Sequence, residues 1–241
     1  MTGPADTIMQ ASSKSGPRPF PALQVIFDLS LKALFFFVPV FLFKGTARWA
    51  AGWLYWGMYT AWSFLNALSL YRRDPGFLLR RLMLGPDVKE PADLAFSLSS
   101  PFLFAVTAAV CSRYGHWPAG TAAMCARGVA FAGLGYAYWL ASRALAANSF
   151  ALKPVLLQPG QTPVSAGPYA IVRHPIYSAF VLFYACTPAA LGSLRGFIPA
   201  AAAALAIIGR AVFEDRFLAR GLAGYAQYTE KVRFRLVPGL W

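Results

Sequence analysis

The chain has 241 residues, of which 58% are apolar and 16% aromatic, and its mean hydropathy of +0.50 excludes an ordinary soluble domain. The formal net charge is +13, but the cations lie between apolar runs and not on amphipathic helices, which argues against nucleic acid as a partner. The three cysteines form no CxxC or Cys/His cluster, so the sequence predicts neither a disulfide framework nor a metal site.

The predicted elements begin with a polar tail and continue as a series of apolar helices. Residues 1–22 contain Gly and Pro and no apolar leader segment, so we expect a disordered cytosolic tail. Apolar runs of about 17 to 25 residues match the thickness of the hydrocarbon core of a bilayer. Four such runs are clear, at residues 23–43, 49–71, 94–112 and 122–146. They predict four transmembrane helices within residues 23–146.

A further apolar stretch, residues 176–213, is interrupted near its middle. The sequence LGSLRG at 191–196 and the following Pro199 break it, which predicts a tight hairpin of a fifth and a sixth transmembrane helix. The expected fold is therefore all-α, a polytopic membrane bundle of about six transmembrane helices.

The distribution of Lys and Arg predicts the orientation of this bundle. With the N-terminus in the cytoplasm, sixteen of these residues fall on the cytoplasmic side and four on the opposite side. We therefore predict a multi-pass protein of a bacterial inner membrane with both termini in the cytoplasm. Three polar stretches then face the cytosol, at residues 72–93, 147–175 and 214–241.

Two of these cytosolic stretches have their own predicted structure. Residues 72–93 read as a loop with a short helix, whose cations either set the topology or contact anionic lipid. The C-terminal stretch predicts an amphipathic helix beneath the bundle, because its large apolar residues recur at helical spacing. These residues are Phe217, Leu218, Leu222, Tyr225 and Tyr228.

Charged residues inside apolar segments are costly, so each one is a candidate for function. Asp28 and Lys32 lie four residues apart in the first segment, and we favour an ion pair between them. Arg173 and His174 directly precede Pro175, which favours the first position of a helix. A helix N-terminus attracts anions, so two potential cations there suggest an anionic ligand. The alternative is that Arg173 only marks the cytosolic side and His174 only caps the helix.

The end of the sixth segment holds a second group of charges. Arg210 and Glu214 share a helical face, and Asp215 follows a quarter turn away. An ordinary intrahelical ion pair would also explain Arg210 and Glu214. The hairpin, however, places the start of the fifth helix beside the end of the sixth, so both groups are expected to face one cytosolic pocket. The Gly- and Pro-rich stretch before residue 170 is long enough to cover it.

These motifs are similar to those of a known family. The stretch GPYAIVRHPIY, with QPGQTPV before it and RAVFED followed by GYAQYTEKVRFRLVPG after it, resembles the isoprenylcysteine carboxyl methyltransferase family. That family is itself similar to the phospholipid N-methyltransferases. The resemblance covers about the last 95 residues. The acidic pair reads Glu214-Asp215 where the family usually has two Glu, which leaves the role of Asp215 open.

The resemblance implies that residues 147–241 form a catalytic region that binds S-adenosylmethionine on the cytosolic side. It implies a lipophilic acceptor that enters from the bilayer, with Arg210 facing the acceptor, and we assign catalytic roles to Arg210, Glu214 and Arg173. The positions implied to contact the cofactor are Gln158, Gln161, Thr162, Pro163, Val164, Tyr169, His174, Pro175, Ile176, Tyr177 and Glu214.

Several alternatives remain open at this point. The acceptor is either a prenyl-type carboxylate or a phospholipid amine, and the sequence does not choose between them. A different enzyme class, an NADPH-dependent sterol-type reductase, resembles the same region and would require a larger basic cluster for its phosphates. A transporter or scaffold would instead place charged residues along the middle of the spans.

Overall fold

A computed structural model describes residues 21–82, 91–116 and 120–241, and these residues form an all-α fold. Nearly all of the predicted tail, and the middle of the 72–93 stretch, lie outside the described residues. Eight helices occur in the described part of the chain, together with a short 3-10 turn at Gly167–Ala170. They are α1 (Ala22–Lys44), α2 (Ala50–Arg73), α3 (Pro75–Leu82), α4 (Pro91–Tyr114), α5 (Thr121–Ala147), α6 (Pro175–Leu191), α7 (Phe197–Gly221) and α8 (Tyr225–Lys231).

The six long helices coincide with the six predicted apolar segments, and the predicted hairpin is present between α6 and α7. Pro175 occupies the first turn of α6, where its missing N–H costs nothing. Gly192 ends the helix with φ of 77°, a left-handed conformation that suits glycine. The short helix expected in the 72–93 stretch is α3.

Three described helices are long and apolar enough to cross a membrane: α1, α7 and the Leu94–Tyr114 part of α4. The apolar helix α6 is shorter. This composition supports a membrane protein.

The core lies where α5 packs against α6, α1 against α4, and α6 against α7. A Cβ atom on Gly133 of α5 would lie 2.5 Å from Sγ of Cys186 on α6, so a side chain at this position would force the Cys186 thiol to move. Aromatic rings from α1, α2, α4, α5 and α6 fill the space between these helices. Phe36, Tyr59, Phe104, Tyr138 and Phe183 belong to this layer.

The C-terminal stretch differs from its prediction. Phe217 and Leu218 continue α7, the chain then turns at Gly224 with φ of 81°, and Tyr225 and Tyr228 belong to the separate helix α8. The prediction of one amphipathic helix was wrong, because helical spacing of apolar residues does not reveal a glycine turn between two of them. Leu218 and Leu222 still cluster with Tyr225 and Tyr228 across that turn.

Candidate functional site

A cavity of about 510 Å³ lies between the two helices of the hairpin, the loop after α5, and helices α1, α3 and α4. Nine of the eleven positions assigned to the cofactor line this cavity. The exceptions are Gln158 and Pro175. The lining positions are Gln161, Thr162, Pro163, Val164, Tyr169, His174, Ile176, Tyr177 and Glu214.

Gln158 shapes the loop that forms one wall. Its backbone N–H donates to Oε1 of Gln161 at 2.9 Å, and its side-chain amide donates to the carbonyl of Phe150 at 2.8 Å. The backbone N–H of Gln161 donates to the carbonyl of Gln158 at 3.0 Å. This turn fixes residues 161–164 against the cavity, as expected for a segment that covers it.

Tyr177 connects the two charges that the sequence placed on one face of α7. Its hydroxyl donates to Oε2 of Glu214 at 2.5 Å and accepts from Nε of Arg210 at 3.3 Å. Arg210 also donates to the carbonyl of Lys153 at 3.2 Å. Because Tyr177 lies on α6, the hydrogen bonds join both helices of the hairpin and orient the Glu214 carboxylate and the Arg210 guanidinium together.

Arg210 faces a different space from Glu214. It lines a smaller crevice of about 170 Å³, whereas Glu214 lines the main cavity. The guanidinium lies 5.0 Å from the ring centre of Phe96, and this ring lines both spaces. Arg210 therefore stands at the boundary between the cavity and the crevice.

Asp215 is the centre of a buried cluster and not a second cavity carboxylate. Arg173 donates to it in a bidentate arrangement, with Nε to Oδ1 at 2.9 Å and Nη2 to Oδ2 at 3.0 Å. His174 Nε2 lies 3.2 Å from Oδ1, and the Tyr225 hydroxyl donates to Oδ1 at 2.8 Å. Arg235 Nε donates to Oδ2 at 2.9 Å. We call these five residues the Asp215 cluster.

The Asp215 cluster changes the interpretation of Arg173 and His174. Their side chains contribute to the cavity wall, but both are buried and hydrogen-bonded to Asp215. Arg173 also donates from Nη1 to the carbonyls of Val232 and Arg233. The anion that the sequence predicted beside these cations is a carboxylate of the protein itself.

The same cluster fixes the segment after α8 beside the start of α6. The backbone N–H groups of Arg173 and His174 donate to the carbonyls of Phe234 and Arg235 at 2.9 and 3.0 Å. The Ser178 hydroxyl donates to the carbonyl of Leu236 at 2.6 Å. Burial, and after it the neighbouring Asp215, raises the pKa of Tyr225, so its hydroxyl stays a donor.

Three cations of the cavity were not assigned to the site from the sequence. Lys32, Arg81 and Lys153 all line the main cavity, and we call them the cavity cations. Arg81 donates to the carbonyl of Ala151. The ion pairs of the described residues involve Asp74 and Asp215, so the predicted pair of Lys32 with Asp28 does not form, although Asp28 still acts on Lys32 electrostatically.

The cavity cations repel one another. Burial, and after it the nearby Lys32 and Arg81, lowers the pKa of Lys153 to about 8, with Asp28 opposing the shift. Lys153 keeps solvent exposure, so water weakens these effects. The one sequence signal for this cluster was Lys32, because a charged side chain ten residues into an apolar helix is energetically unfavourable. Arg81 and Lys153 reach the same cavity through the paths of two loops, which local sequence patterns do not predict.

The remaining polar lining is neutral. Burial raises the pKa of the Tyr169 hydroxyl, which is hydrogen-bonded to Asn148. In the part of the chain that the structure describes, no three His, Cys, Asp or Glu side chains are grouped to hold a metal ion. No protein-family model matches this chain, and no curated protein matches it.

Proposed function

We propose that the protein is a membrane-embedded methyltransferase that uses S-adenosylmethionine and acts on a lipophilic acceptor. The observation that carries this proposal is the convergence of residues 161–164, Tyr169, Ile176, Tyr177 and Glu214 on one cavity. These positions are spread over more than fifty residues of the sequence. The family resemblance implies that all of them contact the cofactor, and their arrangement around one cavity is what that role requires.

The chemistry of the cavity suits this cofactor. Its volume of about 510 Å³ lies within the range of small-molecule sites. Glu214 offers a carboxylate to the ammonium or the sulfonium, and the rings of Tyr177 and Phe180 offer faces to a cation. The cavity cations offer partners to a carboxylate.

The residues of this chain would act mainly by alignment. When bound, S-adenosylmethionine would supply a methyl group on a sulfonium, a good leaving group, so its transfer to a nucleophilic atom of the acceptor would release a neutral thioether. Tyr177 holds Glu214 and Arg210 in fixed positions, and the loop of residues 158–164 excludes water from one side.

Arg210 is the residue best placed to orient the acceptor. It lies between the cavity and the smaller crevice, and its planar fork of donors suits a carboxylate or a phosphate. Arg173 loses its proposed catalytic role in this scheme and becomes a positioning residue, because Asp215 and two carbonyls occupy its donors.

Three of the long helices are apolar enough to cross a membrane, and we propose that α2, α5 and α6 cross it as well, in a six-span arrangement. We propose that both termini and the cavity face the cytoplasm, in keeping with the distribution of Lys and Arg.

The test is to incubate membranes containing the protein with methyl-labelled S-adenosylmethionine and to identify the labelled lipid by mass spectrometry. We expect label in a lipid carboxylate ester or a methylated amine, and loss of the label in Glu214→Gln. Membranes that contain folded wild-type protein and acquire no labelled lipid would contradict the proposal.

A second candidate, an NADPH-dependent reductase, is favoured by one observation. The cavity cations form the basic cluster that the phosphates of a dinucleotide would require. A dinucleotide is much larger than S-adenosylmethionine, however, and Glu214 would repel its phosphates. Calorimetry on the detergent-purified protein separates the candidates: heat from NADPH and none from S-adenosylmethionine would favour the reductase.

A further inference from the structure

Among the described residues, the cavity cations are a surplus of positive charge over the carboxylates that act on them. Lys32, Arg81 and Lys153 come from α1, α3 and the loop after α5, and they line the same cavity close enough to act on one another electrostatically. Asp28 is the carboxylate that acts on Lys32 and Lys153. Within the described residues, none of the three cations forms an ion pair with a carboxylate.

The position of Lys32 makes this surplus costly. It lies ten residues into α1, about 15 Å along the helix axis from Ala22. A cation at that depth of an apolar helix is expected to have an anionic partner or a functional role. The nearby Lys153 and Arg81 add to the cost, since they are like charges.

The geometry points to a binding subsite for a phosphate group, formed by Lys32, Arg81 and Lys153. A phosphate has several oxygens in a tetrahedral arrangement, and a phosphate monoester carries more charge than a carboxylate, which suits two ammonium groups and one guanidinium. A single cofactor carboxylate would satisfy only part of this set. The inference rests on the proposed function for the carrier of the phosphate, which is then the methyl acceptor.

This inference also narrows the acceptor. Lys153 contributes its side chain to the cavity cations while its carbonyl accepts from Arg210. A ligand phosphate on the cavity cations would therefore lie close to Arg210, at the boundary with the crevice. An acceptor with a phosphate and a nearby nucleophile meets this requirement, whereas a prenyl-type acceptor must present its single carboxylate to the methyl donor and has no second anion for the cluster.

The test measures binding by calorimetry on the full-length protein in detergent micelles. The probes are a short-chain phosphatidic acid, the diacylglycerol of the same chain length and inorganic phosphate. The variants are Lys32→Gln and Lys153→Gln, with Lys231→Gln on the exposed face of α8 as a matched control. Lys32→Arg keeps the charge, and circular dichroism confirms that each variant remains helical.

We expect phosphatidic acid to bind at least about tenfold more tightly than the diacylglycerol. Lys32→Gln and Lys153→Gln should each lower the affinity for phosphatidic acid by about tenfold, whereas Lys231→Gln and Lys32→Arg should leave this affinity unchanged. Displacement by inorganic phosphate would mean that the subsite accepts a free phosphate as well. A lack of displacement would mean that it accepts the phosphate only on a lipid.

Equal binding of phosphatidic acid by the wild type and both Gln variants would overturn the inference. The inference would also be overturned if both variants bound S-adenosylmethionine more weakly and phosphatidic acid with unchanged affinity, since the cluster would then hold the cofactor. Phosphatidic acid binding that depends on Lys32 and Lys153, without any heat from S-adenosylmethionine, would instead remove the proposed function and leave the phosphate subsite.

Discussion

Two groups of cations lie within the same part of the molecule, and they differ in what neutralises them. In the Asp215 cluster, Arg173, His174 and Arg235 all contact one carboxylate. The cavity cations line an open space, and the carboxylate of the described residues that acts on Lys32 and Lys153 is that of Asp28, which forms no ion pair with them. Where the protein compensates its own charge, removing one partner leaves the other buried and unpaired, whereas charge left facing a cavity is available to a ligand.

The largest effect should come from breaking the compensated group. Asp215→Asn removes the negative charge while Arg173 stays buried, and losing one partner of a buried ion pair costs about 3–5 kcal/mol. We expect a large drop in the thermal unfolding temperature in detergent and loss of order in the segment that follows α8.

A matched control for that change exists on the surface. Oδ2 of Asp74 lies 3.8 Å from Nη2 of Arg80, and the side chains of Asp74 and Arg80 are 47% and 54% exposed. Asp74→Asn should cost no more than about 1 kcal/mol, because solvent screens the pair and the Asn oxygen can still accept from the Phe77 N–H. Similar losses for Asp74→Asn and Asp215→Asn would contradict the distinction between the two clusters.

His174→Ala should have a smaller effect on the same group. His174 is buried and loses its hydrogen bond to Asp215 Oδ1, which costs about 1–3 kcal/mol. Cofactor affinity should fall as a consequence, since the start of α6 forms the cavity wall. Thermal unfolding and S-adenosylmethionine calorimetry should therefore change together; weaker binding at unchanged stability would give His174 a direct ligand contact instead.

Glu214→Gln should affect the ligand and not the fold. The Gln oxygen can still accept from the Tyr177 hydroxyl, so the unfolding temperature should stay close to that of the wild type. The lost charge should lower the affinity for S-adenosylmethionine by about tenfold or more, since hydrogen bonds to charged groups contribute about 1.5–3 kcal/mol. The Glu214 carboxylate would then serve the ligand and the neighbouring Asp215 carboxylate the fold. Equal losses of unfolding temperature in Glu214→Gln and Asp215→Asn would contradict this difference.

The sequence predicted the helices and the hairpin well, because apolar length and breaking residues are local properties. It also predicted that Arg210 and Glu214 lie near the start of α6, because a hairpin places the end of its second helix beside the start of its first. It missed the role of Asp215, whose contact with Arg235 depends on the path of the chain after α8. Helical spacing favoured pairing of Lys32 with Asp28, and only the folded loops show that Lys32 faces the cavity instead.

The smallest expected effect concerns the pH dependence of the cavity cations. The unfolded chain keeps the Lys153 proton up to its ordinary pKa of 10.5, whereas the folded chain releases it near pH 8. Because the unfolded state binds more protons between these values, rising pH favours the folded state in this window. Lys153→Gln removes this dependence, so the unfolding temperature of the wild type should gain on that of the variant between about pH 7 and about pH 9.5. Parallel curves would show that Lys153 titrates alike in both states, and the repulsion among the cavity cations would then contribute nothing to the unliganded protein.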